Sequence, residues 1–221
     1  STPLRPENPI PYVNQKGVLE RDFTKKESYY VFQSYWTDKP MIHIYGSSWD
    51  IRWGKKEEEK LIKVYSNCEE VELWVNGISL GKKKRNSQDF PATGLRWNTL
   101  LREGANIVIA KGKRENVEVQ DTLTLTYQTK PWREPHRLTL KLLEEKGDSV
   151  MVEARIWDKF QVQCLDSKDF VLFGLIGKGQ LLDNRGTSTG SRRIALANGR
   201  ARIWVQRQGA TVVSVQTVPK V

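Results

Sequence analysis

The sequence predicts a mainly β protein, with two immunoglobulin-like β-sandwich domains that follow a short segment containing one helix. Beyond residue 60, apolar side chains recur at every second position, which is the pattern of strands with one buried face. Glycine and asparagine separate these runs at short intervals, as in hairpin-rich sandwiches. With 38% hydrophobic residues among 221, the chain can bury one or two such cores.

The first segment, residues 1–54, is predicted to contain an extended stretch, one helix and one strand. Prolines among the opening residues disfavour regular structure there. Thr24 and Glu27 have the spacing of a capping box, so the helix is predicted to cover residues 25–36. A strand is predicted for residues 40–45, and a tryptophan-bearing loop then leads up to residue 54.

The predicted helix has a strongly aromatic face, because Tyr29, Phe32 and Trp36 fall at helical spacing. The all-β remainder of the chain offers this face no obvious partner. We therefore expect a part of the protein outside this sequence to cover it, or the isolated chain to self-associate through it. The opening residues show neither a signal-peptide pattern nor an initiator methionine, which leads us to expect preceding sequence.

The first sandwich is predicted to span residues 55–130. The Asn76-Gly77 dipeptide tolerates positive φ and predicts a tight hairpin turn within it. The remaining turns are marked less strongly, but the alternation of apolar and polar residues continues on both sides of them. The predicted strands cover residues 60–64, 71–75, 78–80, 95–100, 106–110 and 117–127.

The second sandwich is predicted to span residues 131–221, after a linker that contains two prolines. Leu138, Leu140 and Leu142 alternate with polar residues, so they should share one face of its first strand. Glycine-rich turns are expected between the later strands. These strands are predicted at residues 150–157, 170–175, 200–205 and 211–217.

The formal net charge of +10 raises the possibility of a nucleic-acid partner. One dense basic run occurs at residues 82–85, whereas residues 55–60 mix lysine with glutamate. No signature of a nucleic-acid-binding fold accompanies the charge. We therefore predict a solvated basic surface and no nucleic-acid partner.

Membrane, metal and cofactor functions are not predicted either. No apolar run approaches the about 18 residues that a membrane helix needs. His43 and His136 are the two histidines, and neither has cysteine or carboxylate neighbours at ligand spacing. Cys68 and Cys164 lie in different predicted domains, so both are expected to be buried thiols. Residues 183–186 are better explained as a turn than as a calcium loop.

The strings NQKGVLERD and KKESYYVFQSYW are similar to the last strand and helix of the catalytic barrel in family 2 glycoside hydrolases of the bacterial β-galactosidase-like type. KVYSNCEEVELWVNGISLG resembles the start of the immunoglobulin-like domain that follows the barrel, and VLFGLIGKGQLLDNRG resembles part of the final β-sandwich domain. The resemblance implies that residues 1–54 are the remnant of the end of a TIM barrel.

The resemblance also implies where the catalytic residues of the full enzyme lie. Retaining enzymes of this kind use two carboxyl groups about 5–5.5 Å apart, and in the family both are glutamates on earlier barrel strands. No catalytic residue is therefore expected here, and Glu20, Asp22 and Glu27 are assigned to surface ion pairs or capping. The chain should be a C-terminal part that buttresses the barrel, with the N-terminal part of the same enzyme as its partner and a carbohydrate as the parent's substrate. A periplasmic or secreted parent is expected.

Four residues remain as candidates for substrate contact in the full enzyme. Asn14 and Lys16 match the Asn-x-Lys string that reaches the sugar carboxylate in β-glucuronidases of the family, although the string could also be a turn. Trp49 and Trp53 could stack on a sugar ring or could plug the end of a sandwich. With Trp74, they also support an alternative hypothesis, a carbohydrate-binding module without hydrolase activity.

Overall fold

The computed structural model describes residues 17–19, 24–85, 94–182 and 193–218. Most of these residues lie in strands, which confirms the mainly β prediction. The chain divides into two compact units, one formed by Val18–Lys130 and the other holding the residues from Pro131 onward. The first unit holds α1 (Glu27–Trp36) and the strands β1 to β8, and the second holds β9 to β13.

Two sheets face each other in the first unit. The three-stranded sheet has the order β1-β3-β6, and the five-stranded sheet has the order β2-β8-β7-β4-β5. All pairings are antiparallel except that of β2 with β8. The strands are β1 (Ile42–Ile44), β2 (Ile51–Trp53), β3 (Glu59–Ser66), β4 (Glu70–Val75), β5 (Ile78–Lys84), β6 (Leu95–Leu100), β7 (Gly104–Arg114) and β8 (Val117–Gln128).

The core of this unit lies between the two sheets. The predicted alternation in β4 is confirmed, since Val71, Leu73 and Val75 are all buried. They pack in one cluster with Ile62 and Trp97 of the three-stranded sheet. At the predicted hairpin, the two turn residues adopt φ values of 51° and 84°. Positive φ at both positions is the requirement of the tight turn that the sequence predicts.

The start of the helix differs from the prediction. The helix begins at Glu27, with Lys26 at the N-cap position, so the capping box of Thr24 and Glu27 does not form. The Glu27 carboxylate is instead engaged by a backbone amide and an imidazole from the segment after the helix. Tertiary partners have therefore replaced the local contact that the capping-box spacing suggests.

Residues 40–54 also differ from the prediction. Strand β1 pairs antiparallel with β3, so it belongs to the same sheet as the predicted sandwich strands. The predicted loop contains β2, which pairs in parallel with β8 at the edge of the other sheet. Both short strands gain their backbone hydrogen bonds from strands distant in sequence, which a local pattern does not reveal.

The second unit is a five-stranded antiparallel sheet with the order β12-β11-β13-β10-β9. Strand β13 is continuous, so the predicted turn between residues 205 and 211 is wrong. Gly209 lies within this strand at φ 143°, a conformation open to glycine that lets the strand pass through the glycine-rich stretch. The strands are β9 (Pro135–Lys146), β10 (Ser149–Asp158), β11 (Phe170–Leu182), β12 (Arg193–Ala195) and β13 (Arg200–Val218).

The two longest strands of this unit, β11 and β13, each pair with two other strands. The first half of β13 pairs with β10, and its second half pairs with the first half of β11. A register shift, as at a β-bulge, lies between Gly177 and Gly179 of β11. Phe173 of β11 and Val152 of β10 consequently share one core cluster. The described strands of this unit thus belong to one sheet and share this core cluster.

Candidate functional site

The structure describes two of the four predicted contact residues. Asn14 and Lys16 lie outside the described residues. Trp49 lies in the turn that follows β1, with 45% of its surface exposed, and its ring meets Tyr45 edge to face at 5.7 Å. Trp53 ends β2 and is 40% exposed. Both tryptophans thus keep a solvent-accessible face, although Trp53 is on a strand and not in the predicted loop.

The main group of interacting ionisable side chains in the first unit joins α1 to β1, and we call it the Glu27–His43 cluster. His43 Nε2 lies 3.1 Å from Glu27 Oε2, and the Gly46 amide donates to Glu27 Oε1 over 2.8 Å. The other imidazole nitrogen, Nδ1, lies 3.8 Å from Asp121 Oδ2. The cluster therefore holds one imidazole between two carboxylates.

Aromatic packing encloses this imidazole. The Tyr30 ring stacks on His43 with centroids 3.5 Å apart and planes 9° from parallel. His43 is buried as a result. Burial, together with the nearby Glu27 and Asp121 charges, raises the pKa of the Tyr30 phenol. The ring therefore stays neutral and packs as a hydrophobic cover.

The carboxylates of the cluster are committed to structural contacts. Burial opposes ionisation of Glu27, but hydrogen bonds from His43 and the Gly46 amide hold its pKa below the usual range. Asp121 Oδ2 accepts a 2.7 Å hydrogen bond from the Ile44 amide. Glu27 was expected in a surface ion pair or a cap, whereas it ties the helix to the turn after β1.

Arg52 extends the cluster toward Trp49. Its Nη2 donates to the Tyr45 carbonyl over 2.8 Å, and burial lowers the pKa of its guanidinium. Its Nε atom is buried and has no hydrogen-bond partner among the described residues. Lys63 places its ammonium 3.9 Å from the centroid of the Tyr45 ring. The two cations thus hold Tyr45 and the neighbouring turn in place.

Little in the sequence indicates this cluster. His43 falls on a predicted strand with no ligand-like spacing, and Asp121 lies far along the chain on β8. Glu27 carried a signal, but the capping-box pattern pointed to a different partner. The contacts of β1 with α1 and with β8 bring the three side chains together.

The arrangement is suited to holding elements together. His43 is buried under Tyr30, and both carboxylates accept hydrogen bonds from backbone amides, so these contacts join the helix, β1 and β8. Over the described ranges, no group of three or more potential metal-binding side chains occurs. Within the same ranges, no helix is long and apolar enough to cross a membrane.

Comparisons with known proteins place these features in context. A family model described as a domain of unknown function, DUF4982, matches residues 57–120. A putative β-glucuronidase of Formosa agariphila is 45% identical over 221 residues, which are 98% of this chain and 26% of that protein. The crystal structure of Parabacteroides merdae β-glucuronidase superposes with a TM-score of 0.87 at 55% identity, covering 98% of this chain and 28% of that one.

The chain has homologues among the family 2 glycoside hydrolases. A β-galactosidase of Bacteroides ovatus also matches, at 28% identity over 163 residues, or 74% of this chain and 18% of that protein. The fold prediction gains support from the Parabacteroides structure, because the likeness extends over nearly the whole chain at high identity. The chain spans about a quarter of the length of the first two relatives.

Proposed function

We propose that this chain is a non-catalytic part of a family 2 glycoside hydrolase and that it supports the catalytic barrel of the full-length enzyme. The observation that carries the proposal is the likeness to the Parabacteroides β-glucuronidase, at 55% identity over 98% of the chain. The family's retaining mechanism requires two carboxyl groups about 5–5.5 Å apart in an open cleft. The carboxylates of the Glu27–His43 cluster are bonded to backbone amides instead.

The substrate we propose for the parent is a β-glucuronide. The sequence resemblance pointed to the β-galactosidase-like type, but the two relatives with the higher identities are named β-glucuronidases. A glucuronide differs from a galactoside by a carboxylate on the sugar. Lys16, with Asn14 beside it, is proposed to bind that carboxylate in the parent, since a lysine ammonium supplies a compact positive charge.

The way the first unit holds α1 supports the proposed role. The outer face of the helix remains uncovered, with Trp36 78% exposed and in contact with Phe32 at 4.7 Å between centroids. The inner side is fixed to the sandwich through Glu27 and Tyr30. A rigid helix that displays aromatic rings is proposed to pack against the N-terminal part of the enzyme and to drive self-association when that part is missing.

The proposal can be tested by separating the chain from its parent. The isolated chain should show no turnover of an aryl β-glucuronide or aryl β-galactoside. The parent truncated before Ser1 should lose activity or thermal stability, and adding the purified chain should restore part of it. Turnover by the isolated chain, or a truncated parent that keeps full activity and stability, would contradict the proposal.

The role of Lys16 needs a separate test in the full-length parent. The Lys16→Ala variant should lower kcat/KM for an aryl β-glucuronide by roughly 10- to 100-fold, the loss expected for a hydrogen bond to a charged group. The turnover of an aryl β-glucoside, which lacks the carboxylate, should change little. An equal loss on both substrates would indicate a structural role for Lys16.

A second candidate function is carbohydrate binding without hydrolysis, which is favoured by the exposed faces of Trp49 and Trp53. Indole rings can stack on the apolar face of a sugar ring. Isothermal titration with neutral β-linked oligosaccharides should then give heat that disappears in the Trp49→Ala and Trp53→Ala variants. A chain that only supports the barrel should give no heat.

A further inference from the structure

The second unit carries a charged sheet face that the proposed function does not use. In β10 and β13, Val152, Ala154 and Ile203 point into the core. Because side chains alternate along a strand, the intervening residues lie on the opposite face. That face carries basic and aromatic side chains, which we call the cationic ladder: Arg137, Lys141, Arg155, Trp157, Arg202 and Trp204.

The strand register places these residues side by side. Glu153 lies opposite Arg202 of β13 and opposite Lys141 of β9, so three strands meet at this carboxylate. Directly opposed residues on neighbouring strands have Cβ atoms about 4.5–5.5 Å apart. Trp157 lies opposite Arg137 in the same way. Cations and indoles therefore occupy adjoining positions on one surface.

Glu153 is the buried carboxylate to which two arginines of the cationic ladder bind. It is 0% exposed, and its Oε2 accepts a 2.6 Å hydrogen bond from Arg202 Nε. Arg155 Nε donates to Oε1, and Arg155 Nη1 also donates to the buried Gln163 over 3.2 Å. Arg200 Nη1 also lies 3.9 Å from Oε2, so three guanidinium groups surround this buried carboxylate. The carboxylate fixes the positions of the two that it binds through hydrogen bonds before any ligand arrives.

Arg202 binds Glu153 through its Nε atom, and the guanidinium has further N–H donors on its two Nη atoms. Among the described residues, its recorded contact is with Glu153 and uses only Nε. Its side chain is 41% exposed and Nε binds Glu153, which leaves the outer Nη fork of the planar guanidinium for a ligand. Lys141 and Arg137 on the adjoining edge strand are also exposed. The ladder thus offers three accessible cations, one of them with a fixed orientation.

The two tryptophans give the ladder an apolar component. Trp157 Nε1 donates to Thr139 Oγ1 over 2.8 Å, and this hydrogen bond restrains the indole. Trp204 lies beneath the Lys146 ammonium, 5.3 Å from its ring centroid. Both rings are half-buried and keep part of their surface accessible. Such rings can pack against the C–H face of a sugar.

We propose that the cationic ladder binds an acidic polysaccharide, with Arg202 pairing with a sugar carboxylate or sulfate and the tryptophans contacting the rings. The fork of a guanidinium matches the two oxygens of such an anion. A nucleic acid is a poorer fit, because it carries a charge about every 3.4 Å of strand. Three separated cations around a buried glutamate do not form so continuous a positive track.

Titration of the chain with oligogalacturonate, the probe for an acidic glycan, tests the proposal. Binding should be measurable in about 0.1 M salt, should weaken as salt rises, and should be absent for a neutral oligosaccharide of equal length. The Lys141→Ala/Arg202→Ala variant should lose at least about tenfold in affinity. Arg202→Lys should also bind more weakly, because lysine keeps the charge but lacks the fork.

A matched control comes from the basic run of the first unit. The Lys82→Ala/Lys84→Ala variant removes the same charge from exposed positions elsewhere, so its affinity should equal that of the wild type. Removal of Arg202 takes one guanidinium group from the buried Glu153 and should lower the thermal midpoint, so affinities are compared at a temperature at which circular dichroism shows every variant to be folded. The proposal is overturned by absent binding, by equal losses in both double variants, by full affinity in Arg202→Lys, or by equal affinity for a single-stranded oligonucleotide.

Discussion

At the residue scale, Asn67 is the clearest example of a polar side chain that fixes the path of the backbone. Its Oδ1 accepts a 2.8 Å hydrogen bond from the Met41 amide, and its Nδ2 donates to the carbonyls of Thr37 and Lys39 at 2.9 and 2.8 Å. These three bonds hold the connection between α1 and β1 against the end of β3. Asn67 is itself buried.

Replacement of Asn67 by alanine should lower the free energy of unfolding by about 1–3 kcal/mol, because it leaves buried backbone groups without partners. Urea unfolding measures this loss. Asn98→Ala, at an exposed position of β6, is the matched control and should change stability by less than about 0.5 kcal/mol. Equal effects in the two variants would show that the Asn67 bonds contribute no net stability.

Glu27 should make stability depend on pH. Its pKa in the folded protein lies below the ordinary value of 4.5, so its ionised form is favoured by folding. This contribution is present above pH 4.5 and is lost as the pH falls through the lower folded-state pKa. The Glu27→Gln variant should therefore lose less stability than the wild type on acidification. Urea unfolding at pH 6 and below pH 4.5 measures the difference.

Glu103→Gln, at an exposed position before β7, is the control for Glu27. It should leave the acid-induced loss of stability as in the wild type. If Glu27→Gln behaves in the same way, the contacts of Glu27 with His43 and the Gly46 amide do not favour its charged form.

At the scale of elements, the alternating pattern predicts which strands contribute a buried face to the core. Burial then decides how much each side chain contributes to stability. Leu73 of β4 is fully buried between the two sheets of the first unit, whereas Ile78 of β5 is 69% exposed. Leu73→Ala should cost about 2–5 kcal/mol of unfolding free energy because it opens a cavity, and Ile78→Ala should cost under about 1 kcal/mol. Chemical denaturation of both variants checks the contrast.

Short elements were harder to predict than long ones. Strands β1 and β2 have only three residues each, too few for a period of two to be distinguished from chance. The prediction for strand β13 was wrong for a different reason, because a glycine such as that at position 209 is typical of a turn. Its pairing with β11 on both sides of that glycine keeps the strand continuous.

At the scale of the whole molecule, the two units should fold separately. Each has its own hydrophobic cluster, and the division between them falls at a proline-containing connection after Lys130. A protein limited to residues 18–130 should unfold cooperatively in urea with native-like circular dichroism. A non-cooperative transition would show that the first unit depends on the rest of the chain.

The sequence by itself determined the mainly β class, the hairpin at Asn76-Gly77 and the core face of β4, because these depend on local φ preferences and on alternation along a strand. It also indicated the relationship to family 2 glycoside hydrolases. Asn14 and Lys16 remain sequence-based predictions.

Only the tertiary structure decided which polar side chains meet. Glu27, His43 and Asp121 come from a helix and two strands, and Glu153 meets Arg202 across 49 residues of chain. Spacing along a sequence reports neighbours within one element, whereas these contacts depend on strand register and on the packing of α1 against β1. Both the Glu27–His43 cluster and the cationic ladder therefore became visible only when distant strands were brought side by side.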